Sequence, residues 1–194
     1  MIRTMLIAVL AATLVAVAAV TASRPAGAAE LPGLGMCNGR ADAMLKVIAH
    51  ANGHGDGVKL ILNVTTDAAA VATGSLILDQ GPNHIVVTDF CRVWQHLPGT
   101  EQKCEEPYPE GAVTAHAVGV TTDRAGTPLL VRADVRQTAE GKFFRARYRA
   151  LTGEQEAVAA AMAEEDGCED EGTWTKVPAE GWAPLDQLIV RAAH

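Results

Sequence analysis

Histidines, cysteines and a dense group of arginines are the side chains of this 194-residue chain best suited to chemistry. Serine chemistry is nearly excluded. Beyond residue 28 the only serine is Ser75, and Gly74-Ser75-Leu76 lacks the G-x-S-x-G turn that exposes a nucleophile. Cys37, Cys91, Cys104 and Cys168 form an even set in a chain that reads as exported, so two disulfides are expected rather than a reactive thiolate. Pairing Cys91 with Cys104 would close the polar loop around residues 96–103, and pairing Cys37 with Cys168 would tie the start of the domain to its later part. A cysteine metal site would need close pairs such as C-x-x-C, and the sequence has none.

The histidines are His50, His54, His84, His96, His116 and His194. His50 and His54 are four apart, but glycines surround His54, so helical spacing does not bring them together as in H-E-x-x-H. His84, His96 and His116 could share a sheet face. A hydrolase would use a carboxylate such as Asp89 or Asp134 beside a histidine. The acidic run Glu164, Glu165, Asp166, Glu169, Asp170 and Glu171 lacks the D-x-D-x-D-G order of a calcium loop and reads as solvated. No metal or cofactor is expected. Asn63-Val64-Thr65 fits the glycosylation pattern but falls in the middle of a strand, and is read as chance.

The most unusual group is Arg132, Arg136, Arg145, Arg147 and Arg149, gathered around Asp134. Residues 129–150 alternate in two runs about Thr138-Ala139-Glu140-Gly141, which is hairpin chemistry. With Gln137 opposite Lys142, Leu129, Val131, Ala133 and Val135 face Ala150, Tyr148, Ala146 and Phe144 on an apolar side. The other side sets Leu130, Arg132, Asp134 and Arg136 against Arg149, Arg147, Arg145 and Phe143. A one-residue slip would bury the charged side, so the register is well specified. Like charges such as Arg132 and Arg147 placed opposite each other destabilise a sheet. Either the acidic residues of 154–171 or an anionic partner would offset them, and the five arginines are therefore the candidate anion or partner site. Trp94 is expected in the core, and Trp182, beside Gly181 and Pro184, is expected to be an exposed contact.

The elements that position these residues are mostly strands. Residues 43–51, 58–66, 75–79, 84–94, 113–122, 174–177 and 185–192 read as strands, the last alternatively as a short helix. Gln80 to Asn83 and Asp123 to Gly126 read as turns. Residues 95–111 hold three prolines and two glycines, which suits a stapled surface loop. Thr152-Gly153-Glu154-Gln155 forms a capping box that would open a helix near residues 153–165. The class expected is all-β: a disulfide-bonded, immunoglobulin-like β-sandwich with one short helix, with a small closed β-barrel as the alternative.

Residues 1–28 carry Arg3, an apolar run from Met5 to Val20 and the small residues Ala26-Gly27-Ala28, the pattern of a secretory signal peptide. Residues 29–194 would then be one domain. Removal of the signal takes away Arg3 and Arg24 and no acid, moving the formal charge from −7 to −9. So acidic a domain is a poor partner for nucleic acid, and its contact with membrane would end at signal cleavage. The expected protein is secreted or held in the cell envelope. Its expected function is that of a non-enzymatic binding module for a protein or an anionic envelope polymer. The alternatives are a protease inhibitor presenting residues 95–111 and a small hydrolase.

Overall fold

Two antiparallel sheets place their apolar faces together. The computed structural model describes residues 39–96 except 42, 55, 56, 82 and 89, and residues 113–151 and 174–192. One sheet runs in the order β1 (Arg40–Ala41), β6 (Phe90–His96), β7 (Val113–Thr122), β8 (Pro128–Thr138), β9 (Gly141–Ala150) and β10 (Thr175–Val177), with β11 (Ala183–Pro184) also on β9. The other runs β12 (Gln187–Ala192), β2 (Leu45–Asn52), β3 (Lys59–Thr66), β4 (Ala72–Gln80) and β5 (Asn83–Val87). The short β1–β6 pair is parallel and every other pair is antiparallel. The sheets do not close into a barrel, which corrects the barrel alternative.

Period-two alternation explains the core. In β2 Leu45, Val47, Ala49 and Ala51 turn inward, in β3 Leu60, Leu62 and Val64, and in β4 Leu76 and Leu78. They meet Ala115, Ala117, Leu129, Val131, Ala133, Val135, Phe144 and Ala146 of the seven-stranded sheet. Close packing leaves no room for extra atoms: a Cβ on Gly74 would collide with the carbonyl of Asn63 on the neighbouring strand.

The central hairpin has the register the alternation dictates, with Gln137 opposite Lys142, Val135 opposite Phe144 and Leu129 opposite Ala150. A neighbouring element differs from expectation. Residues 84–94 are not one strand but two, β5 in the smaller sheet and β6 in the larger. The chain changes sheet after Val87, so that Ile85 and Val87 enter the core from one side and Phe90 and Val93 from the other. A register shift between Phe90 and Arg92 then turns Trp94 to the opposite face. Gln80 pairs with Asn83, so the β4–β5 turn is two residues. The last segment is a strand, antiparallel to β2. The described residues include no helix; the helix expected at 153–165 lies outside them, as do most of the 95–111 loop, the signal segment, Cys37, Cys104 and Cys168. Cys91, partly buried, carries no free thiol.

Candidate functional site

The outer face of the seven-stranded sheet carries the arginines, and it is not an open surface. Arg132 and Asp134 are wholly buried and Arg147 is 6% exposed. Arg136, Arg145 and Arg149 are half-buried. Strand register explains which groups meet. Trp94 lies opposite His116, His116 opposite Asp134, and Asp134 opposite Arg145, so one row of side chains crosses four strands.

Asp134 is the centre of that row. Its Oδ1 accepts from His116 Nδ1 at 2.6 Å and Arg132 Nε at 2.8 Å, and its Oδ2 from Arg145 Nε at 2.8 Å, with Arg147 Nη2 3.7 Å away. One carboxylate thus lies among three guanidinium groups and offsets the repulsion between Arg132 and Arg147 on facing strands. Burial on its own would raise the carboxyl pKa of Asp134. The adjacent Arg132 charge, the His116 hydrogen bond and Arg145 outweigh it and hold Asp134 ionised, well below the usual carboxylate range.

Burial pushes the His116 pKa down to about 4, against the opposing pull of Asp134, and so leaves the ring neutral at physiological pH. A neutral ring that donates from Nδ1 carries its one proton there and leaves Nε2 as an acceptor. Trp94 stacks on His116, with ring centroids 4.9 Å apart and planes 21° apart. His96 meets His116 edge-on at 4.8 Å and accepts from Trp94 Nε1 at 2.9 Å.

The tryptophans interleave with the arginines. Trp182 is half-buried and lies 4.2 Å from the Arg136 guanidinium carbon and 4.8 Å from that of Arg145. Trp174 takes Arg147 and Arg149, each at 5.5 Å, and Trp94 takes Arg92 at 5.2 Å and Arg132 at 5.4 Å. These are cation–π distances. Trp182 is thus half-buried where full exposure is expected, and its ring is engaged by two arginines of this chain. The buried position of Trp94 is as expected.

The histidine expectations are met in part. His96 and His116 come together, but His84 lies apart, 3.5 Å from Asp79. His50 and His54, expected to stay separate, are brought to one carboxylate by β12. His54 Nε2 lies 2.8 Å and His50 Nδ1 4.0 Å from Asp186, whose Oδ2 also accepts from Asn52 N. The β2–β12 pairing is remote in sequence, so no local pattern announces this clasp. Asn63 is exposed in the middle of β3.

A second site was not anticipated. A cleft of about 310 Å³ opens between the sheets at one end of the molecule. Asn83, His84 and Ile85 of β5 line one side, and Asp123, Arg124 and Ala125 of the β7–β8 turn line the other. Leu129 and Tyr148 contribute from the inner face of the larger sheet. The turn is fixed from within, since Asp123 Oδ1 accepts from the amides of Ala125 and Thr127, both at 2.8 Å. These backbone hydrogen bonds, Thr127 foremost, lower the Asp123 pKa and keep it ionised. Among the described residues, the Asn83 amide, the Arg124 guanidinium and the Tyr148 hydroxyl make no side-chain hydrogen bond or ion pair. The signal for this cleft is the pair of turns at 80–83 and 123–126, which the fold carries to one end. Comparison of the chain with protein-family models, with curated proteins and with solved structures finds no match.

Proposed function

We propose that the protein is a secreted, non-enzymatic binding module that holds a small ligand, or one unit of an envelope polymer, in the cleft between its β4–β5 and β7–β8 turns. In this reading it is an immunoglobulin-like sandwich, exported past its first 28 residues. The observation that carries the reading is that the cleft groups Asn83, Arg124 and Tyr148 are left available in a concavity with an apolar floor of Ile85 and Leu129. Ligand sites have this make-up, an apolar lining with a few placed polar groups. The arginine face, in contrast, is engaged with Asp134 and the tryptophans, so the anionic partner expected there is better accommodated at Arg124. A hydrolase is the weaker reading. The tightest histidine–carboxylate pair among the described residues, His116 with Asp134, is buried where a substrate proton could not reach it, which leaves that reading the looser, solvent-facing pairs His54–Asp186 and His84–Asp79.

Export would be accompanied by disulfides joining Cys91 to Cys104 and Cys37 to Cys168. Non-reducing peptide mapping of the secreted protein is expected to find no free thiol and the Cys91–Cys104 link; Cys37 joined to either partner would overturn this pairing.

The cleft itself is tested by amide NMR of the ¹⁵N-labelled mature protein during titration with low-molecular-weight fractions of the producing cell's envelope and medium. Shifts are expected to centre on residues 83–85, 123–125 and 148. Shifts centred on Arg136, Arg145 and Trp182 would move the site to the arginine face, and silence with every fraction would remove the reading altogether.

A further inference from the structure

We infer that the cleft ligand is a carboxylate-bearing saccharide unit; this rests on the binding role of the cleft and adds the class of molecule bound. The lining carries the inference by elimination and by fit. A hydrocarbon ligand would strand the Asn83 amide and the Tyr148 hydroxyl in contact with apolar atoms, and unpaired polar groups oppose binding. A phosphate monoester brings close to two negative charges to a concavity where the lining supplies one guanidinium, Arg124, beside the ionised Asp123, so a singly charged carboxylate is the better match. A sugar ring offers both surfaces the cleft presents. Its C–H face suits Ile85, Leu129 and the ring of Tyr148. Its hydroxyls, each donor and acceptor, suit Asn83, Asp123 and Tyr148.

Arg124 supplies the selectivity. It is exposed at the rim on a turn already braced by Asp123, and Gly126 closes that turn with φ +85°, so little order has to be imposed when a ligand arrives. A guanidinium on a fixed turn recognises a planar carboxylate by two parallel N–H···O bonds, which a neutral hydroxymethyl group cannot reproduce. A cavity of about 310 Å³ lies at the small end of ligand sites and suits one or two sugar rings, not a long groove of subsites.

The test is calorimetric and NMR titration of the mature protein with a galacturonate disaccharide, with its neutral galactose counterpart, and with inorganic phosphate. The acidic disaccharide is expected to bind, with its affinity falling as salt rises. The neutral disaccharide, and the acidic one on the Arg124→Gln variant, are expected to bind about tenfold more weakly, the loss of one charge-assisted pair at a rim. Phosphate alone is expected not to compete. Equal binding of the neutral and acidic sugars, or an unchanged Arg124→Gln variant, would overturn the carboxylate assignment. If neither sugar shifts cleft residues while an envelope fraction does, the saccharide inference fails and the cleft reading survives. If nothing shifts them, both fail. Arg124 is exposed and away from the core, so its variant is expected to fold as the parent does.

Discussion

Asp134→Asn is expected to lower the unfolding free energy by about 3–5 kcal/mol, the usual loss when one partner of a buried ion pair is removed. The substitution keeps the shape of the side chain and removes its charge. Arg132, wholly buried, would then lose the carboxylate its Nε donates to, and Arg145 and Arg147 would lose the same neighbour. Chemical denaturation of the parent and variant measures the difference directly. Asp186→Asn serves as the control, since Asp186 and its partners His50 and His54 are substantially exposed. Exposed pairs contribute little, so this variant should sit close to the parent. Similar losses in the two variants would show that the network around Asp134 is not a buried one.

The second large effect is a dependence of stability on pH that belongs to His116. In the folded protein its pKa is lowered from 6.5 to about 4, chiefly by burial. Between those values the unfolded chain binds a proton that the folded protein refuses, so stability rises with pH across the window. The contribution is fully present above pH 6.5 and is lost as pH falls through about 4. At about 1.4 kcal/mol per pKa unit the loss across the window is on the order of 3 kcal/mol. Asp134 acts in the same direction but further into acid, because its pKa is depressed below the ordinary carboxylate value. Denaturation at a series of pH values is expected to show this slope in the parent and a flattened one in His116→Gln. Equal slopes in the two proteins would assign the acid sensitivity elsewhere.

The sequence makes the central hairpin legible pair by pair, because alternation fixes which side chains share a face and the loop length fixes the register. It does not say whether the polar face meets water. Trp94 arrives from β6, and Trp174 and Trp182 come from beyond residue 173. Among the described residues, it is their convergence that helps turn a stripe of arginines into a buried cluster. One further contact could be reached by parity. Reading 123–126 as a four-residue turn would put His116 opposite Ala133, a polar residue against an apolar one. The observed loop is one residue longer, pairing Thr122 with Pro128 and therefore His116 with Asp134. The cleft depends on which elements face each other across the sandwich and the His54–Asp186 contact on the pairing of β12 with β2 within one sheet, information that no local window holds. The break between β5 and β6 is hidden for a related reason. Residues 84–94 read as one continuous β-rich run, and the change of sheet between Val87 and Phe90 appears only once both inner faces are known.

The state of the His116 ring is the most direct measure of whether the charged face of the larger sheet is a sealed structural network. A long-range ¹H–¹⁵N spectrum of the imidazoles, followed from neutral pH into acid, reports both the protonated nitrogen and the titration midpoint. The buried network predicts a neutral ring with its proton on Nδ1, donated to Asp134, and no titration until about pH 4. A His116 ring that titrates near the ordinary value of 6.5, or that carries its proton on Nε2, would contradict it.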